Sequence, residues 1–115
     1  MDKSTSASTP AVALFPSGFR GQQMATEGAT IHVRFGGTGP AVVLLHGFGD
    51  TGDMWVPVAA ALASDHAVIV PDLRGLGLSS HPEGGYDKKT QARDIAQVQY
   101  EKGAASLLEL LDALL

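Results

Sequence analysis

Two short apolar runs limit what this chain can become more than any other feature. Ala41-Val42-Val43-Leu44-Leu45 and Ala67-Val68-Ile69-Val70 show no polar/apolar alternation, so each reads as a strand buried on both faces. Strands of that kind belong to parallel sheets, and parallel neighbours need a long crossover between them. The intervening segment supplies one: Asp53 is a candidate helix cap, Pro57 fits an early turn, and Trp55, Val58, Ala59 and Leu62 share one helical stripe. Residues 41–70 therefore predict strand, crossover helix, parallel strand.

Upstream, Phe19 to Ala25 and Thr30 to Phe35 flank a Glu27-Gly28 turn, and Ile31, Val33 and Phe35 alternate with His32 and Arg34. This predicts an opening β-hairpin. Residues 1–16 are rich in Ser, Thr and Pro without periodicity, which predicts a flexible leader ahead of one folded unit over 17–115. Downstream, Ala104, Leu107, Leu108 and Leu111 fall at helical spacing, a C-terminal helix expected to pack on its own sheet. Gly103 either divides that stretch or sits inside it at about 1 kcal/mol. The expected class is α/β.

Composition narrows the functions. With 115 residues, 44% apolar and 17% charged, the chain is globular and amounts to one domain or part of one. Eight Lys and Arg against 12 Asp and Glu give a net charge of −4, with no basic cluster to follow a phosphate backbone, which argues against nucleic acid as a partner. Cysteine is absent, ruling out disulfides and thiolate metal sites. His32, His46, His66 and His81 are scattered without ligand spacing, so neither metal nor cofactor is expected. No apolar run approaches membrane-spanning length and Met1 to Pro10 lacks a signal-peptide core, leading to the expectation of a cytoplasmic protein without a membrane partner.

The turn after the first run carries the chemistry. Gly47-Phe48-Gly49-Asp50-Thr51-Gly52 matches the G-x-G-x-x-G of a dinucleotide phosphate cradle, and Asp72 stands where a ribose-binding acid would follow. A helix starting inside that fingerprint would hold Pro57 about two turns in, at a cost of roughly 3 kcal/mol. A start near Asp53 removes the clash but carries the helix N-terminus away from the glycines. The other use of such a turn is an oxyanion hole, whose backbone N–H donors stabilise a developing oxyanion by roughly 3 to 4 kcal/mol each.

Here the motifs are familiar. Leu44-Leu45-His46-Gly47-Phe48, then Trp55, then Pro71-Asp72-Leu73-Arg74-Gly75-Leu76-Gly77-Leu78-Ser79 resemble the N-terminal portion of the α/β-hydrolase superfamily. Gly36-Gly37-Thr38-Gly39-Pro40 and Ser80-His81-Pro82-Glu83-Gly84-Gly85-Tyr86-Asp87 resemble its epoxide hydrolase and haloacid dehalogenase-like branch. That branch commonly has Pro where this chain has Gly49. The resemblance runs from about Phe15 to Val98, the first third or so of a typical member. It implies a hydrolase of an ester, epoxide or carbon–halogen bond in a small-molecule substrate. It further implies that the Phe48 backbone N–H is one oxyanion donor, with Gly47 making room for the turn, His46 bracing it, and Phe48 and Trp55 lining the substrate pocket. Asp72 and Arg74 belong at a strand's C-terminal end, expected to brace the loop as an Asp/Arg pair.

One element of the family is missing from these residues. No stretch fits the nucleophile elbow G-x-[Ser/Asp/Cys]-x-G, and the last histidine is His81. The expectation is an incomplete hydrolase sheet, inactive alone, with a noncatalytic or partner-dependent remnant as the alternative. A missing neighbour strand would leave the edge at 41–45 open to self-association.

Overall fold

The computed structural model describes residues 8–10, 15–47 and 49–101. Five strands, Ser8–Pro10 (β1), Arg20–Thr26 (β2), Ala29–Gly36 (β3), Ala41–Val43 (β4) and Ala67–Pro71 (β5), form one mixed sheet in the order β1-β2-β3-β5-β4. Arg20–Thr26 (β2) and Ala29–Gly36 (β3) make the expected hairpin. It closes at Gly28, whose φ of 82° suits glycine. Ala67–Pro71 (β5) runs antiparallel to β3 and parallel to Ala41–Val43 (β4). The parallel pair is joined by a 3₁₀ turn, Gly52–Trp55, and the helix Val56–Leu62 (α1). A second helix, Lys88–Glu101 (α2), follows β5.

The unalternating pattern of β5 has a direct cause. Val68 and Val70 pack with Phe15, Phe19, Leu44 and Ala59 on the α1 side. Ile69 turns the other way, joining Met24, Ile31, Val33 and Val98 of α2. Both faces are covered, so neither can be polar.

Several local expectations change. β4 ends at Val43, although the Leu44 N–H still donates to Ile69 O at 3.0 Å. Thr51, not Asp53, caps the crossover: its hydroxyl accepts the Asp53 N–H at 3.2 Å. Pro57 sits in the first turn of α1, where its missing N–H costs nothing. Val58 points to solvent, and the face toward the sheet is Trp55, Val56, Ala59, Leu62 and Ala63. On β3 the alternating polar residues are not on an open face, because His32 and Arg34 are both buried.

Part of the expected leader joins the fold. Ser8–Pro10 (β1) pairs antiparallel with β2, and Phe15 stacks at 5.4 Å on Phe19 in the core. Gly103 and the leucine-rich stretch from Ala104 to Leu115 lie outside the described residues.

Candidate active site

β4 and β5 are parallel, so the loops leaving their C-terminal ends emerge side by side. His46 ties them. Its buried ring accepts the Leu73 N–H on Nε2 at 2.9 Å and lies 2.8 Å from Gly47 O through Nδ1. A single tautomer serves both, with the lone pair on Nε2 and the proton on Nδ1. The Asp50 N–H donates to the same Gly47 carbonyl at 3.1 Å; Phe48 lies outside the described residues. Gly47 has open space where a Cβ would stand. The glycine that the backbone requires is Gly49, at φ 84°.

Asp72 is a deeply buried charge at this end of the sheet, with 1% of its surface exposed. Its Oδ1 accepts from Gly52 N–H at 2.7 Å and Arg34 Nη2 at 2.9 Å, and its Oδ2 from Leu78 N–H at 3.0 Å. Arg34 also reaches Asp53 at 3.3 Å and lies over the Phe15 ring at 4.9 Å. Gly52 is glycine because of this packing: a Cβ there would stand 2.5 Å from Arg34 Nη2. Ser79 completes the arrangement, donating to Asp72 O at 2.6 Å and accepting the His32 N–H at 2.8 Å.

Asp72 and Arg74 therefore do not pair with each other. Arg74 binds Asp94 of α2 through Nε and Nη2, at 2.7 and 2.8 Å, and donates to the carbonyls of Glu27 and Gly84. The forked contact explains why the Arg74 pKa is raised, the hydrogen bond to Asp94 being the largest cause. Thr26 Oγ1 also donates to Asp94 at 2.8 Å. One guanidinium thus joins the β2–β3 turn, the loop after β5 and α2.

Between these loops and α2 lies a cleft of about 510 Å³, lined by residues that include His46, Gly47, Leu73, Leu76, Tyr86 and Gln91. A smaller hollow of about 170 Å³ adjoins it toward Leu45, Ala92 and Ile95. Trp55 is not in this lining. It packs on the α1-side core, across the sheet from α2, because its position in the 3₁₀ turn directs it there.

The pyrophosphate alternative loses its groups. The Gly52 N–H is spent on Asp72, and the Asp72 carboxylate is buried and already accepts three hydrogen bonds. Among the described residues no cluster of three or more His, Cys, Asp or Glu could hold a metal, and no helix is long and apolar enough to cross a membrane.

Sequence reasoning missed Arg34, Asp94, Tyr86, Lys88 and Gln91. A signal was present for α2: Asp87 followed three residues later by Thr90 is an N-cap pattern, and the Thr90 N–H does donate to Asp87 at 3.0 Å. Those hydrogen bonds from Thr90 hold the Asp87 carboxyl below its ordinary value.

A parallel β4–β5 pair, a crossover helix, and a braced glycine turn at the strand ends are an arrangement that fits the α/β-hydrolase class. Residues 40–108 match the family model described as alpha/beta hydrolase fold, and the chain belongs to that family. It is similar to a soluble epoxide hydrolase of Corynebacterium sp. (strain C12), 42% identical over 76 residues, which are 66% of this chain and 27% of that protein. It is also similar to a fluoroacetate dehalogenase of Burkholderia sp, 44% identical over 70 residues, 61% of this chain and 23% of that one. The crystal structure of wild-type Cfl2 from Burkholderia cenocepacia superposes with a TM-score of 0.77 at 32% identity, covering 86% of this chain and 34% of that chain. The chain thus spans about a quarter of these two curated relatives and about a third of the solved neighbour.

Proposed function

We propose that this chain forms the N-terminal part of a cytoplasmic α/β-hydrolase that acts on an ester, epoxide or carbon–halogen bond through a covalent intermediate, and that the Phe48 backbone N–H is one of its two oxyanion donors. Epoxide hydrolase and dehalogenase relatives support the bond types. The observation that carries the role of the turn is its double fastening, His46 to Leu73 and Gly52 to Asp72. A donor is effective only if it needs no reorganisation when the negative charge appears, and the fastening of the residues on either side supports that reading. The nucleophile and catalytic histidine come from outside these 115 residues, since no elbow sequence is among them.

A second proposal, a noncatalytic or partner-dependent fragment, is favoured by the fate of two side chains near the cleft whose chemistry could serve a nucleophile. Ser79 and Asp72 are both buried and fully engaged. Combining the chain with an elbow-bearing remainder of the family separates the alternatives. If turnover appears, Phe48→Pro, which deletes the N–H, is expected to lower kcat by about 10²-fold. Phe48→Ala, which keeps the N–H, is expected to retain most of it. Equal loss in both variants would remove the oxyanion role, and no turnover from any such combination would favour the noncatalytic alternative.

A further inference from the structure

One buried carboxylate fastens the two loops that frame the cleft. Asp72 holds Gly52 N–H of the first loop and Leu78 N–H of the second, and Arg34 neutralises it. His32 lies two residues before Arg34 on β3, so both side chains leave the sheet on the same face. The His32 residue is 8% exposed, and its Nε2 is buried without a hydrogen-bond partner. Its main chain belongs to the same fastening: the N–H donates to Ser79 Oγ and the carbonyl accepts the Asp72 N–H at 2.9 Å.

We propose that His32 is an acid-sensitive release for this clamp, its protonation loosening the hold of Asp72 on the Gly52 and Leu78 loops. The charged groups that act on the ring are Arg34, Asp72 and Asp53. An imidazolium there sets two buried cations against one buried carboxylate, whose oxygens already hold a guanidinium and two backbone N–H groups. The Asp53 side chain is 45% exposed, and water screens most of its charge. The new charge is relieved either by drawing Asp72 away from its amide partners or by turning the ring out to water. The first movement breaks the link that Asp72 makes between the turn after β4 and the loop after β5.

Burial first, and the Arg34 charge second, keep the His32 pKa below its ordinary 6.5. The neutral ring is therefore the resting form at neutral pH. A released or unfolded His32 binds its proton at the ordinary value. The contribution of the clamp is then complete above pH 6.5 and declines as pH falls from there through the lowered value.

The test is a pH titration of the ¹⁵N-labelled chain from about pH 7.5 to about pH 5, the range in which histidine changes charge. The Gly52 and Leu78 amides are expected to shift together with the His32 ring protons, with one shared midpoint below 6.5. In His32→Gln the shared transition should disappear. In His66→Gln, which removes a histidine paired with Asp65 at the surface, it should persist. The proposal is overturned if His32 titrates in the unmutated chain while Gly52 and Leu78 stay still, or if they move unchanged in His32→Gln. The first outcome needs no variant to fold, and neither depends on hydrolase activity.

Discussion

Replacing Asp72 by Asn keeps its volume and removes the charge that Arg34 neutralises at 2.9 Å, with both side chains 1% exposed. Breaking a buried pair from one side leaves an uncompensated charge, so Asp72→Asn is expected to cost about 3 to 5 kcal/mol in urea unfolding. Arg34→Met is expected to cost a similar amount, while the double variant should lose clearly less than the sum of the two. An additive double variant would mean that Gly52 and Leu78, not the ion pair, account for the effect of Asp72. Arg74→Lys probes the other bridge. Lysine cannot reproduce the forked contact with Asp94 or reach both the Glu27 and Gly84 carbonyls, and about 1.5 to 3 kcal/mol should be lost.

Among the elements, β4 and β5 were legible because burial on both faces writes itself as an unbroken apolar run, and the crossover because Pro57 is tolerated only near a helix start. Residues such as His32 and Arg34 were not. Alternation reports that the two faces of a strand differ in polarity, and it cannot report that the polar face is covered. Burying Arg34 depends on Asp72, 38 positions later, and on a glycine at 52 that lets the guanidinium approach. α2 was obscured by its polar length, since its buried side is built largely from Ala92, Ile95, Ala96 and Val98. The open edge of the sheet is testable by substitution. β4 has a strand partner on one side alone among the described residues, so unpaired N–H and C=O groups favour association with other chains. Val43 packs on the α2-side cluster, whereas Ala41 is exposed. Ala41→Lys is expected to shift sedimentation toward monomer without lowering stability. A concentration-independent monomer in the unmutated chain would contradict the open edge.

At the scale of the whole molecule, the described residues hold two fastened loops at one end of the sheet and a cleft between them and α2. The loops, their fastening and the cleft draw on residues far apart in sequence, including His46 with Leu73, 27 positions on, and Arg34 with Asp72, 38 positions on. Each candidate for attack is held back by that same fastening. Ser79 gives its proton to Asp72 O and receives the His32 N–H, so its oxygen has neither a general base nor a path to the cleft. Asp72 can leave its partners only by exposing Arg34 and two amides. The 115-residue chain on its own is therefore expected to hydrolyse neither activated esters nor epoxides above a matched protein blank. It is equally expected to show no saturable change in Trp55 fluorescence on addition of NAD or FAD, because the Gly52 N–H and the Asp72 carboxylate are already occupied. Turnover that survives purification and disappears in a Ser79→Ala variant that still folds would show that the fastening opens far enough for attack. Tight dinucleotide binding abolished by Gly49→Val would return the glycine turn to phosphate.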